Sequence, residues 1–170
     1  MKKILFVCTG NTCRSPMATA IFNYFAGLEP AEFDYEATSA GLAVSGDTPA
    51  SENAILAMKD FAGIDITKHH THIINQDDVK KAFLVLTMAL SHKRYILSLF
   101  SDTYHKVYTL KEYAYNISEQ NNRGSNNIHT ASLDIADPYG SSLWSYKLCA
   151  QELVQAIEKL VEKLKKIEVG

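Results

Sequence analysis

The sequence predicts an α/β fold, with a parallel sheet covered by helices on both faces. Two runs, Ile4-Leu5-Phe6-Val7 and Phe83-Leu84-Val85-Leu86, are continuously apolar, as central parallel strands buried on both faces must be. Stretches of helical periodicity stand between the strand candidates. The length, 170 residues, suits a single domain over 1–170 that buries a real core without disulfide staples.

The elements follow in order. Ile4 to Val7 is the first strand, ending at Cys8. After a loop, Pro16 suits the first turn of a helix, and Met17, Ile21, Phe22, Phe25 and Leu28 make its sheet-facing stripe. Phe33 to Thr38 alternates weakly and reads as a second strand closed by Ser39-Ala40-Gly41. Ser51 can cap a helix through Phe61, with Ile55, Met58 and Phe61 inward and Gly63 just past its end. Asp77 to Ala82 reads as a short helix before the second buried strand. Ser91 opens a helix to about Phe100, and Lys106 to Leu110 supplies a fourth strand. The stretch 116–132 lacks apolar periodicity and is expected to be a mobile insertion. Order returns at Ile135 to Gly140. Leu153, Ile157, Leu160, Leu164 and Ile167 form one stripe of a final helix, whose Lys163, Lys165 and Lys166 suit its C-terminal dipole.

Bulk properties exclude several classes. A net charge of −2 is not the basic excess of a nucleic-acid binder. No apolar run approaches the roughly 18 residues of a spanning helix, so no membrane partner is expected. The short apolar run after Met1-Lys2-Lys3 is not a secretory leader, and three cysteines cannot all pair. A reducing cytoplasm is the expected location.

The chemistry concentrates between Cys8 and Ser15. In parallel sheets ligands bind beyond the strand C-termini, where Cys8 falls. The loop from Cys8 to Arg14 must curl its N–H groups inward beside a helix N-terminus, making an anion nest for phosphate or another oxyanion. Gly10 permits an unusual backbone angle, and Asn11 can bond across the loop or take a left-handed conformation. Arg14 offers a planar fork to two phosphate oxygens. The positive field favours a thiolate at Cys8, and Ser15 can donate to it. Alone, a strand-end cysteine is a core residue and an arginine before a helix a solvated charge; their joint spacing is what points to catalysis. The loop lacks the Lys-Ser/Thr pair that would bind a nucleoside triphosphate.

Val7-Cys8-Thr9-Gly10-Asn11-Thr12-Cys13-Arg14-Ser15-Pro16 closely resembles the signature of the low-molecular-weight protein tyrosine phosphatases. Ser39-Ala40-Gly41, Leu86-Thr87-Met88 and Asp137-Pro138-Tyr139 fall at matching segments. The resemblance implies a three-layer α/β/α fold with a four-stranded parallel sheet. It also implies a two-step mechanism through a cysteinyl-phosphate that needs no metal or other cofactor. Cys8, Arg14 and Asp137 become the catalytic set, with Asp137 as general acid and then base. An Asp before a Pro is by itself a turn residue, and neighbouring Asp134 reads as a solvated loop charge. Thr9, Gly10, Asn11, Thr12, Cys13, Ser15 and Tyr139 become substrate-binding residues. The resemblance further suggests a reversible Cys8–Cys13 disulfide that shields the nucleophile, with plain space-filling by Cys13 as the alternative.

Thr12 stands where the tyrosine-specific members usually carry a bulky aliphatic residue. The Cys-Thr-Gly-Asn-Thr-Cys-Arg version resembles the bacterial protein-arginine phosphatase branch, as do Thr109-Leu110-Lys111-Glu112-Tyr113 and Asp137-Pro138-Tyr139-Gly140-Ser141. A phosphoguanidine carries N–H donors next to phosphorus, and a site built around such hydrogen bonds penalises substrates that leave them unpaired. Gly140, where tyrosine enzymes carry a second aromatic, leans the same way. Leu42-Ala43-Val44, in place of a large rim aromatic, and the 116–132 insertion are departures. The expected substrates are phosphorylated proteins or peptides, phosphoarginine first and phosphotyrosine as the alternative. An arsenate reductase, which relays oxidation through further cysteines, is disfavoured because Cys149 lies on the last helix as a packed thiol. A non-catalytic phosphoprotein reader would need neither nucleophile nor acid. His69-His70-Thr71-His72 has no acidic or cysteine companion at metal-ligand spacing and reads as a surface turn; no metal is expected. Tyr139 is placed near the cleft, and Tyr113 and Tyr115 in packing roles.

Overall fold

The computed structural model describes residues 1–117 and 132–169. The segment expected to be mobile, 116–132, therefore lies outside the described residues from 118 to 131. The order is β1 (Lys2–Cys8), α1 (Arg14–Ala26), β2 (Tyr35–Gly41), α2 (Glu52–Ala62), α3 (Gln76–Lys81), β3 (Leu84–Thr87), α4 (Leu90–Leu99), β4 (Val107–Thr109), α5 (Leu110–Tyr115) and α6 (Leu143–Val169). A 3-10 turn at Ser101–Thr103 follows α4.

The four strands form one parallel sheet in the order β2-β1-β3-β4. β1 pairs on both sides, Ile4 with Ala37 and with Leu84, so its apolar run is buried on both faces. Its pleat divides the core. Ile4 and Phe6 face one side with Met17, Ile21 and Phe22 of α1, Met58 of α2, and Leu153, Ile157 and Leu160 of α6. Leu5 and Val7 face the other with Val79 of α3 and Ile96 of α4. Phe6 and Phe22 are fully buried and meet edge to face at 6.0 Å. Each such side chain contributes about 1.5–3 kcal/mol through burial. The chain runs from β1 outward to β2, then crosses to β3 on β1's other side. That reversal leaves a crevice at the C-terminal ends of β1 and β3.

Boundaries differ from expectation where pairing or capping overrides periodicity. β2 begins at Tyr35, because Phe33 is held in a turn by Pro30, and it runs on through Gly41 because pairing with β1 extends to Cys8. α1 stops at Ala26, so Leu28 lies beyond the stripe and is exposed. In α2, Ser51 caps Ala54 N–H and Gly63 closes the helix in the left-handed region, as expected. Phe61, however, is exposed rather than inward and packs edge to face on Tyr24. Phe83 and Ile167 are exposed as well. The expected fourth strand is shorter, since Thr109 caps α5, in which Leu110 is already helical.

Candidate active site

The loop from Cys8 to Arg14 joins the end of β1 to the start of α1. Cys13 occupies the helix N-cap without making a side-chain cap, and the first turn holds no acidic residue. Pro16 has no N–H and Met17 N–H bonds the Cys13 carbonyl at 3.2 Å, so the Arg14 and Ser15 N–H groups open the helix, whose dipole favours an anion there. Asn11 takes the left-handed conformation, φ 57°, as its residue type allowed, and Gly10, which could have taken an unusual angle, does not. The Asn11 side chain makes that conformation affordable. Its Nδ2 donates to Ser15 Oγ and Ser39 Oγ, both at 2.9 Å, and its Oδ1 accepts from His72 N–H at 2.9 Å. Its backbone N–H points at Cys8 Sγ, 3.3 Å away, while Ser15 Oγ lies 3.0 Å from the same sulfur. Asn11 N–H and the Ser15 hydroxyl therefore converge on the sulfur.

Arg14 is almost fully buried and its fork is aimed by two contacts. One terminal nitrogen donates to the Ile135 carbonyl at 3.2 Å and the other to Asp137 Oδ2 at 2.8 Å. Asp137 is half-exposed, and its other oxygen accepts Tyr139 N–H at 3.2 Å. Cys8, Thr9, Gly10, Thr12, Cys13, Arg14, Asp137 and Tyr139 line one cleft of about 320 Å³. Of the residues expected to bind substrate, Asn11 and Ser15 do not line it; both are fully buried behind the loop and brace it.

Several contributors were not read as site residues from the sequence. Ala43, Ser45 and Thr48 also line the cleft. Gly41 lies so close to the loop that a Cβ there would stand 2.8 Å from the Thr9 carbonyl and 2.6 Å from Val44. His69, read as part of a surface turn, is half-buried and its Nε2 donates to the Asn11 carbonyl at 2.8 Å. Burial holds its pKa below the ordinary histidine range. His70 and His72 instead meet Asp47 and Asp78, so the three histidines serve three different partners. His92, from the first turn of α4, meets Thr9 Oγ1 at 2.9 Å. Burial, and then the Arg14 charge, push its pKa down to about 4. Asp134 is not a free loop charge. Its Oδ1 accepts Leu90 N–H at 2.7 Å and caps α4, which has no side-chain cap of its own.

Cys13 Sγ sits 3.2 Å from Tyr146 OH and 3.5 Å from both Thr12 Oγ1 and Ser51 Oγ. Burial, with the bond to Cys13, raises Tyr146 to about 12, so its hydroxyl keeps its proton. Cys149 is buried on α6, and burial pushes its thiol up to about 12, as suits a packing group. Tyr113 stacks with Tyr108 and lies under Lys163, a packing role as expected.

Comparison with known proteins gives the same picture. The chain is 36% identical to the protein-arginine-phosphatase of Bacillus subtilis over 163 residues, covering 96% of this chain and 97% of the relative. A crystal structure of a low molecular weight protein tyrosine phosphatase from T. tengcongensis superposes with a TM-score of 0.82 at 40% identity, covering 96% of this chain and 99% of the other. A Cys-to-Ser mutant of the YwlE arginine phosphatase, solved with its active-site serine phosphorylated, superposes with a TM-score of 0.82 at 34% identity, covering 96% of each chain. That phosphoserine stands in for the cysteinyl-phosphate of such enzymes. The family model described as low molecular weight phosphotyrosine protein phosphatase matches residues 3–169, and the chain belongs to that family.

Proposed function

We propose that the chain hydrolyses phosphoarginine in proteins. The observation that carries the reaction is the convergence of Asn11 N–H and Ser15 Oγ on Cys8 Sγ, with Arg14 and Asp137 closing the same cleft. The phosphoryl group enters the nest at the α1 N-terminus and takes the Arg14 fork, which frees Asp137 from its ion pair. Released from the ion pair, Asp137 takes up a proton from solvent; Cys8 thiolate then attacks phosphorus, the P–N bond breaks, and Asp137 delivers that proton to the departing guanidine nitrogen. Water then attacks the cysteinyl-phosphate, Asp137 takes the water's proton, and the thiolate leaves onto Ser15 and Asn11 N–H. No step requires a metal.

Thr12 supports phosphoarginine as the substrate. It lines the cleft, among the described residues its Oγ1 has a 3.5 Å contact with Cys13 Sγ, and it can pair with a polar leaving group. The likeness to the Bacillus subtilis arginine phosphatase leans the same way. A second reading, phosphotyrosine, is favoured by the 40% identity to a structure described as a tyrosine phosphatase and by the exposed Tyr139 ring, on which a phenyl group can stack.

The test compares kcat/KM for a phosphoarginine and a phosphotyrosine peptide in wild type and Thr12→Ile under reducing conditions. We expect a preference of at least about 100-fold for phosphoarginine that collapses in the variant, as a hydrogen-bonding site losing its partner should show. A phosphotyrosine preference that Thr12→Ile leaves unchanged would make Thr12 a packing residue. Cys8→Ser, which should bind phosphate without turnover, separates an enzyme from a phosphoprotein reader.

A further inference from the structure

The Asp137 carboxyl is half-exposed, so packing of its own side chain does not fix where it points. Its two oxygens are held by Arg14 and by Tyr139 N–H, and once a phosphoryl group takes the Arg14 fork its aim depends on the backbone that carries it. That backbone is gripped just upstream by two side chains from different helices. Glu152 of α6 accepts Ala136 N–H through Oε2 at 3.2 Å. Lys111 of α5 donates to the Asp134 carbonyl at 2.9 Å and to Glu152 Oε1 at 2.5 Å. Both side chains are largely buried, 16% and 28% exposed, which sets them apart from ordinary surface pairs whose geometry is loose. Between these two grips, the Ile135 carbonyl is the oxygen that aims Arg14.

We propose that Lys111 and Glu152 are positioning residues for the phosphatase reaction, a clamp that holds residues 134–136 so that Asp137 faces the leaving group. The proposal rests on the reading of Asp137 as general acid. Each residue grips the acid segment by its backbone, and each holds the other in place. Loss of either lets the carboxyl drift, and a displacement of about 1 Å at a reacting group costs up to roughly 100-fold in rate. The loss has a signature that mere destabilisation lacks. Proton donation matters for a leaving group that departs badly as an anion and hardly at all for one that departs well.

The experiment measures kcat/KM, which reports formation of the cysteinyl-phosphate, on phenyl phosphate and 2,4-dinitrophenyl phosphate. Wild type, Asp137→Asn, Lys111→Met, Glu152→Met and Glu152→Gln are compared. Asp137→Asn should lose at least about 100-fold on phenyl phosphate and only a few-fold on the dinitrophenyl ester. The two methionine variants should show the same divergence at about tenfold. Glu152→Gln, which keeps an acceptor oxygen for Ala136 N–H, should recover part of it, and it carries the test if a methionine variant fails to fold. Equal losses on both esters in the clamp variants, or none, beside a divergent Asp137→Asn, would overturn the clamp alone. No divergence in Asp137→Asn would overturn the acid assignment and the clamp with it.

Discussion

His92 offers a quantitative test of how the phosphate loop is held. Its Nε2 meets Thr9 Oγ1 at 2.9 Å, while its Nδ1 is buried with no partner among the described residues. A neutral imidazole tolerates that orphan nitrogen. A protonated one would carry a buried N–H with no acceptor, close to the Arg14 charge. The folded-state pKa accordingly falls from the ordinary 6.5 to about 4. The sign follows from linkage. Between these two values the unfolded chain binds a proton that the folded chain refuses, so stability falls as pH drops through 6.5 and keeps falling to about 4. Two and a half units at about 1.4 kcal/mol each give an upper bound, and about 3 kcal/mol of it is realised between pH 7.5 and pH 4. Asp134 and Asp137 pull the other way and are smaller influences. The assay is urea denaturation of wild type and His92→Gln across that range. Other titrating groups are common to both proteins and cancel in the difference. At pH 7.5 wild type should be the more stable, by roughly 1 kcal/mol for the Thr9 bond. By pH 4 the order should reverse, with His92→Gln ahead. A difference that stays flat from pH 7.5 to 4 would refute the buried, neutral histidine and the account of Thr9 built on it.

Two other substitutions test the loop's surroundings. Gly41→Ala puts a Cβ 2.8 Å from the Thr9 carbonyl and 3.0 Å from Asn11 Cβ, contacts the loop can relieve only by moving. Thermal and urea melts should show a loss of about 1–3 kcal/mol, with kcat/KM falling further than the melt alone explains. For Cys13, peroxide-inactivated wild type should regain activity with added thiol, whereas Cys13→Ser should stay inactive as Cys8 advances to irreversible oxidation states. Equal recovery in both proteins would reduce Cys13 to a packing residue beside Tyr146.

The sequence was most legible where a residue's chemistry and its local backbone agree. The apolar runs of β1 and β3 could only be central strands, and Ser51 and Gly63 bracketed α2 through capping alone. Cys8, Arg14 and their spacing displayed the nest because every part of it lies within one strand-loop-helix passage. Asp137 became legible only through family resemblance, since an Asp-Pro pair carries no chemistry of its own. What escaped is what long-range contacts assign. His69 and His92 lie 58 and 83 residues from their loop partners, and nothing in their neighbourhoods marks them. The miss at α5 was of another kind. Thr109-Leu110-Lys111-Glu112 is a capping-box pattern, and the structure shows both reciprocal bonds. The strand reading before it ran one residue too far, to Leu110, and left this helix out.

The crevice at the sheet's reversal point explains why the proposed catalytic groups are held together. The acid segment crosses above β3, where Ile135 N–H bonds the Met88 carbonyl at 2.8 Å. From there Asp134 caps α4, the Ile135 carbonyl aims Arg14, and Asp137 takes the other Arg14 nitrogen. α4 in turn carries His92 to Thr9 on the loop's opposite flank. The phosphate loop is thus gripped at Thr9 and at Arg14 by groups that share one dependency, the course of residues 134–137. A change at Asp134 would loosen the α4 cap, and through it His92 as well as the acid. Arg14 and Asp137 lie 123 residues apart in sequence yet are set by the same short stretch of backbone. That shared support makes Thr9, Arg14 and Asp137 one mechanical unit, and it is why effects of substitutions among them should not add.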